Sequence, residues 1–579
     1  MTANGETETG SQDIEDVYPL TPMQNGILFH TLKTDHSGPY IEQFLFDVSV
    51  ALDRDRFIRS WRIVLDRHTA LRSAVVWEGV DEPLQIVMRD AAVSMSEVDT
   101  TGWASERFDE EVRTWLDADR ARGIPLSEAP LMRLTLLPRP AGGGVLVWTL
   151  HHLVMDGWSM PITVQEVATV YRALGDGGTG AELLPAAKPF RDFVAWLQGA
   201  TTVGAERFWR DRLAGMVRTP IPAPRPGHVE AGTAAGGRAY LDLGPDLSRS
   251  ILAAAQTAKV TVNTVYQAGW ALMLARLAGT TDVVFGTTVS GRPAALEGVE
   301  QMVGLFINTI AHRVRLPGGQ SARQWLAELA QRHLDTLAHQ HVALPLLQSW
   351  TDVPPGEAMF DSIVVFENYP SENPHFDLGE GATLRIREVI EDAGYPLTLT
   401  VLPRAGGTRL QLLYDQGRYS DGAAGRLLAA YAAALQAIAG GLDTNVADLV
   451  PTLSTPAAPV RVAQPPTSAP APATGAAGFF TDAPDAEAMR LLWSEVLGRE
   501  VTDPDSDFFR LGGDSLAAVR LVGRLRTVLQ SQVGVSALFE ERTLRALLQR
   551  VHRLAGAEAA GGVVTATRAT TANDREGSC

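Results

Sequence analysis

A mixed α/β chain of more than one domain, closed by a small helical unit, is what the sequence predicts. Three observations carry that expectation. Val145-Leu146-Val147-Trp148-Thr149-Leu150 is an apolar run of β-branched and large residues, as in a buried strand. Met489, Leu492, Trp493 and Val496 recur at helical spacing within 488–497, and further helices are expected from about Ser515 and about Thr543. At 579 residues and 45% apolar content the chain suits about two to four domains with large cores.

Taken in order, residues 1–15 are polar and acidic, a disordered terminus and not a signal peptide, and no apolar run reaches membrane-spanning length. The strand over 145–150 delivers His151-His152-Leu153-Val154-Met155-Asp156-Gly157 at its end. Adjacent strand residues face opposite ways, so one histidine can point into a cleft while the other packs. Asp156 on the following turn suits a buried cation, and Gly157 permits close backbone approach. Residues 451–479 are rich in Ala, Pro and Thr, as in Gln464-Pro465-Pro466-Thr467, and are expected to act as a semi-extended tether. The small unit then covers 480–555, with a loop at 503–507, and 556–579 reads as a disordered tail.

Within the small unit, Phe508-Phe509-Arg510-Leu511-Gly512-Gly513-Asp514-Ser515-Leu516 places a serine where a helix opens. Exposed N–H groups and the helix dipole favour an anionic group there, and the glycines clear space. Along that helix Ala518, Leu521, Val522 and Leu525 share a core face. Leu516, Val519 and Arg520 fall on the other side, beside the serine, and are expected to form an exposed docking surface.

A net charge of −17 argues against nucleic acid and anionic membrane as partners. The single cysteine is Cys579, so no internal disulfide forms, and a cytoplasmic home is expected. No metal site is expected.

These motifs together resemble a nonribosomal peptide synthetase condensation domain followed by a peptidyl carrier domain. Tyr18-Pro19-Leu20-Thr21-Pro22-Met23-Gln24-Asn25-Gly26-Ile27-Leu28-Phe29-His30 is similar to the family's opening motif, and Arg67-His68-Thr69-Ala70-Leu71-Arg72-Ser73 to its second. The His151–Gly157 run resembles the central motif and Phe190-Arg191-Asp192-Phe193-Val194-Ala195-Trp196 the fourth. Phe285-Gly286-Thr287-Thr288-Val289-Ser290-Gly291-Arg292-Pro293 with Val303-Gly304-Leu305-Phe306-Ile307-Asn308-Thr309 resembles the fifth, and Val364-Val365-Phe366-Glu367-Asn368-Tyr369-Pro370 the sixth. The resemblance implies a condensation domain over 16–450. Its two chloramphenicol-acetyltransferase-like lobes, near 16–180 and 190–450, would form a V-shaped pseudo-dimer with a tunnel, and a helical-bundle carrier would follow.

The resemblance further implies that an acceptor amine attacks a donor thioester to form an amide. His152 would be the catalytic histidine and the Gly157 amide a donor to the oxyanion, with His151, Asp156 and Arg292 as structural support and Asp156 paired to Arg292. Ser515 would carry 4′-phosphopantetheine. Partners would be a phosphopantetheinyl transferase, an upstream donor carrier on another polypeptide, an adenylation enzyme acting in trans, and a downstream synthetase or release enzyme, in antibiotic or siderophore biosynthesis. The intact histidine pair differs from the aspartate-rich motif of heterocyclisation relatives. The opening motif looks like the class taking a donor with a D-configured terminus. An ester-forming or free-small-molecule-accepting variant, and a silent recruiting scaffold, are the alternatives.

Overall fold

The computed structural model describes residues 13–33, 40–140, 142–199, 204–222, 236–354, 357–367, 375–391, 394–404, 406–450, 484–511, 513, 515–529 and 533–554, with the side chains of Ser515 and Leu516 among the exceptions. The expected tether and tail lie outside these residues. At the N-terminus the structure departs from expectation. Ile14–Pro19 is a strand paired antiparallel with Leu84–Met88, and Glu15 bonds Arg72 at 2.7 Å. Its acidic residues disguised an edge strand whose charges face solvent or find arginine.

Two six-stranded sheets dominate. In spatial order the first contains His375–Gly379, Ala382–Ile390, Ile41–Val48, Gly144–His151, Met132–Pro138 and Met95–Glu97. The second contains Asn308–Arg315, Asp282–Val289, Ser362–Phe366, Leu397–Arg404, Gly407–Asp415 and Gly236–Leu243. Ser362–Phe366 runs parallel to both neighbours, giving a mixed sheet. A division into contiguous lobes does not describe the first sheet: Ala382–Ile390 crosses back to pair antiparallel with Ile41–Val48. Nothing in the local pattern of 375–390 announces a partner more than 300 residues earlier, because pairing is a tertiary choice.

Gly144–His151 is buried at all eight positions, which is why it reads as an unbroken apolar run and not as an alternation. Helices cover it. Arg54–Arg67, capped by Asp53 accepting from the Arg56 N–H, presents Phe57, Trp61, Val64 and Leu65 on one stripe. Trp61 meets Trp148 edge-on at 4.8 Å. In the second half the helix Asp421–Gly440 is long and apolar enough to cross a membrane, contrary to the expectation that no run reaches that length. Its Leu428, Tyr431, Ala434, Leu435 and Ile438 pack into the core, with Tyr431 against Trp270 at 5.4 Å.

The small unit contains helices Pro484–Leu497, Ser515–Leu529, Val535–Glu541 and 544–554. The first begins four residues before its expected start, with Pro484 in the first turn, where a missing N–H costs nothing. Ala518, Leu521, Val522 and Leu525 form the core stripe as the helical phase predicts.

One buried histidine gives the fold an acid sensitivity. His312 lies on strand Asn308–Arg315 with its Nε2 unpartnered, and burial, reinforced by His333, Arg212 and Arg332, pushes it down to about 3 from 6.5. Its folded value lies below its unfolded one, so the unfolded chain takes the proton first as pH falls. This contribution is fully present above about pH 6.5 and fades toward pH 3, by up to ~1.4 kcal/mol per pH unit. Thermal melts from pH 7 to 4 should show Tm falling more steeply in the parent than in His312→Asn. Equal slopes would remove His312 as a source.

Candidate active site and carrier serine

His151 ends the buried strand and His152 begins the loop. The strand is held on both sides there, by His151 N–H to Leu131 O (3.0 Å) and His152 N–H to Tyr40 O (2.8 Å). The two rings diverge as strand alternation demands. His151 is fully buried, with Nε2 3.1 Å from Thr31 Oγ1 and Nδ1 accepting from the Leu153 N–H at 3.3 Å. His152 keeps 14% of its side chain exposed. Its Nδ1 lies 2.8 Å from the Met155 carbonyl oxygen. A carbonyl only accepts, so Nδ1 carries the hydrogen and Nε2 presents a lone pair. Burial holds the ring below its ordinary value of 6.5, against the pull of the Met155 carbonyl, Glu391 and Asp156, so Nε2 is unprotonated at neutral pH.

Asp156 is the hub beneath the loop. Its carboxylate accepts from Ser159 N–H (3.1 Å), Ser159 Oγ–H (2.8 Å), Phe306 N–H (3.0 Å) and Arg292 Nη2 (3.2 Å). Arg292 is only 6% exposed; its guanidinium sits over the Phe306 ring at 3.9 Å and donates to Met302 O at 3.0 Å. Asp156 N–H in turn bonds Gly304 O at 3.1 Å. The loop after one sheet is thereby bonded to segment 292–306, which lies between strands of the other. Gly291 lets that segment fold back on itself: it has φ +62°, and a Cβ there would sit 1.8 Å from Phe306 O. Gly157 is half-buried beside Asp156.

Sequence reasoning missed Glu42. It stands opposite Leu150 on the neighbouring strand, hence on the same face as His152, with Oε1 3.1 Å from Nδ1 and Oε2 buried without a partner. Burial, then Glu391 and Asp156, push its carboxyl well above the usual carboxylate range, which favours the neutral acid. Glu367, of the sixth motif, is raised likewise by burial, Glu391 and Glu42. Only strand register could have found Glu42, and register is not written in a single segment. Glu42→Gln, isosteric with the neutral acid, should condense within about threefold of the parent at pH 7 in single-turnover assays. A tenfold loss would mean that the ionised carboxylate is needed.

Ser159 was missed as well, although it lies three residues beyond Asp156; a serine after an aspartate is too common a turn pattern to stand out. Among the described residues no group of His, Cys, Asp or Glu converges as a metal site.

In the small unit Ser515 is the first residue of a 15-residue helix, where N–H groups lack intrahelical partners. A Cβ on Gly513 would lie 2.3 Å from the buried Phe508 ring, so this position before the serine suits glycine. That tight turn and helix start fit a phosphopantetheine linkage at this position. Gly512, Asp514 and the Ser515 and Leu516 side chains lie outside the described residues. Val519, expected to be exposed, is 2% exposed and belongs to an apolar cluster running into the larger domain. The reason is tertiary: helix 515–529 packs on helix Pro22–Lys33 of that domain, and Arg520 Nη2 bonds Glu82 at 2.7 Å.

Two mixed sheets, covered by helices and joined through a histidine-bearing loop, make a chloramphenicol-acetyltransferase-like fold. The condensation-domain family matches residues 14–456, and a phosphopantetheine attachment site matches 487–551. The chain therefore belongs to the condensation domains of nonribosomal peptide synthetases, a peptide-bond-forming class, with a phosphopantetheine carrier domain behind it. A linear gramicidin synthase of Brevibacillus parabrevis is 37% identical over 441 residues, 75% of this chain and 8% of that protein. Chondramide synthase cmdD of Chondromyces crocatus is 34% identical over 451 residues, 70% of this chain and 11% of that protein. The chain thus spans about a tenth or less of these relatives' length. In fold it is similar to a four-domain nonribosomal peptide synthetase bound to AMP and glycine (TM-score 0.65, 18% identity, 75% of this chain and 34% of that one). It is also similar to the first condensation domain of the calcium-dependent antibiotic synthetase with a substrate analogue (TM-score 0.62, 19% identity, 75% and 99%).

Proposed function

We propose that the larger domain forms an amide between a donor thioester delivered by another carrier and an acceptor held on this chain's own carrier at Ser515. The observation that carries this reading is the His152 ring, whose Nδ1 is held 2.8 Å from Met155 O so that Nε2 presents the lone pair, with burial disfavouring its protonation. When bound, the phosphopantetheine arm supplies the thiol that holds the acceptor as a thioester. His152 Nε2 orients the acceptor amine and takes the proton released as the C–N bond forms and the donor C–S bond breaks. The Gly157 amide serves the developing oxyanion. Asp156 and Arg292 hold the loop at the junction, and His151 fixes it to helix 22–33. Alignment of two tethered reactants supplies much of the rate, since thioesters are already activated.

Loading in trans belongs to the same proposal. The two family matches are separated by residues 457–486, too few for an adenylation domain between them. A phosphopantetheinyl transferase, an adenylation enzyme, an upstream carrier and a downstream or release enzyme are the partners this implies, in the cytoplasm. The opening motif supports a donor with a D-configured terminus. Intact-protein mass spectrometry tests the reading: with Ser515 phosphopantetheinylated and charged, adding a charged donor carrier should add the donor mass to this chain, and the product offloaded from the arm thioester should keep donor and acceptor joined, as an amide does, through mild base. An offloaded product that mild base splits into donor and acceptor would point to an ester, product released free to a small-molecule acceptor, and no transfer to a scaffold.

A further inference from the structure

Residues 77–83, between strands Ser73–Val76 and Leu84–Met88, carry Glu78, Asp81 and Glu82. The carrier helix 515–529 carries Arg520, Arg524 and Arg526 and no acidic residue, a cationic face in a chain of net charge −17. The two sets meet in three pairs, Arg524 being shared with Glu495 of the carrier's own first helix at 2.6 Å. Arg520 bonds Glu82 at 2.7 Å, Arg524 bonds Asp81 at 3.1 Å, and Arg526 bonds Glu78. The backbones are close as well, since a Cβ on Gly523 would stand 3.4 Å from the Trp77 carbonyl oxygen. Helix 22–33 packs against both carrier helices, 515–529 and 535–541. That same helix holds the histidine loop, through Gln24 Nε2 to Leu153 O (2.9 Å) and Thr31 to His151.

We propose that Glu78, Asp81 and Glu82 form a carboxylate clamp that selects the carrier domain, and that the partner it fits is a carrier with cationic side chains at the positions of Arg520, Arg524 and Arg526. The inference rests on the reading that the chain condenses onto its own carrier. Asp81 is 94% exposed and Glu82 62%, so each pair is weak alone and screened by salt. Weak pairs suit a carrier that must also leave for its loading enzyme. The tether keeps the local carrier concentration high enough, roughly millimolar, for three of them to suffice. A carrier with acidic side chains on this face meets like charge and is turned away.

The test uses the full chain. Glu78→Lys/Asp81→Lys/Glu82→Lys, with Ser515 phosphopantetheinylated and charged and a charged donor carrier supplied, is expected to condense about tenfold more slowly than the parent at about 50 mM salt. Adding Arg520→Glu/Arg524→Glu/Arg526→Glu to the same chain is expected to restore the rate to within about threefold, with thermal melts confirming that both variants fold. Small-angle X-ray scattering of the uncharged chain reads the clamp without chemistry: the parent should be compact at low salt and expand as salt rises, and the triple lysine variant should be expanded throughout. A triple variant as fast and as compact as the parent overturns the clamp, as does a folded, fully charged swap that recovers neither. A parent that forms no amide yet expands with salt would retire the proposed function while leaving the clamp standing.

Discussion

His152→Ala is expected to melt like the parent, to accept the arm on Ser515, and to condense about 10²–10⁴-fold more slowly. The asymmetry follows from where the ring sits. It is partly exposed, and its Nδ1 meets only Met155 O, within its own loop, and Glu42 Oε1 at 3.1 Å, so truncation leaves one carbonyl and one carboxyl oxygen short of a partner at a cost of about 1 kcal/mol each, small against the stability of so large a domain. The lone pair at Nε2 has no substitute within the loop. His151→Ala should behave differently, losing stability together with activity, because that ring is fully buried between Thr31 and the Leu153 amide. Rapid-quench intact mass spectrometry on fully charged protein separates the two. Parental turnover in folded His152→Ala would remove the histidine from the reaction.

Asp156→Ala should be the most damaging change to the fold. It strands Arg292, 6% exposed, without its counter-charge and leaves the Phe306 amide short of an acceptor, while the Ser159 hydroxyl keeps only Gly304 O. Breaking a buried pair in this way costs about 3–5 kcal/mol, enough to lower Tm by several degrees or to prevent soluble expression. Arg292→Ala leaves the carboxylate still bonded to Ser159 and Phe306, so its loss should be the smaller of the two. The double variant should lose less than the sum of the singles, since each removes the same contact. Melting and denaturant titration of the three proteins measure this; two singles as stable and active as the parent would mean that the pair does not hold the loop.

The histidine loop was legible because a run of eight buried strand residues leaves an apolar signature in one stretch of chain, and the loop follows it directly. The carrier helix was legible for the same reason: its core stripe and glycine turn are local. Glu42 was not, since it reaches His152 only through the register of a partner strand a hundred residues away. Nor was the return of 382–390 to the first sheet, nor the fate of Val519, which helical phase alone leaves facing water.

By itself the sequence determined the element types, the order of motifs, the histidine pair that ends a buried strand and the serine at a helix start, all of which rest on spacing within one segment. Only the tertiary structure decided which strands pair, that Asp156 and Arg292 are joined by Ser159 and Phe306 into one hub, and that the arginines of the carrier helix meet the carboxylates of residues 77–83. Each of these is a contact between segments far apart in the chain. Its free energy depends on burial and charge that exist only after folding, so no local pattern encodes it.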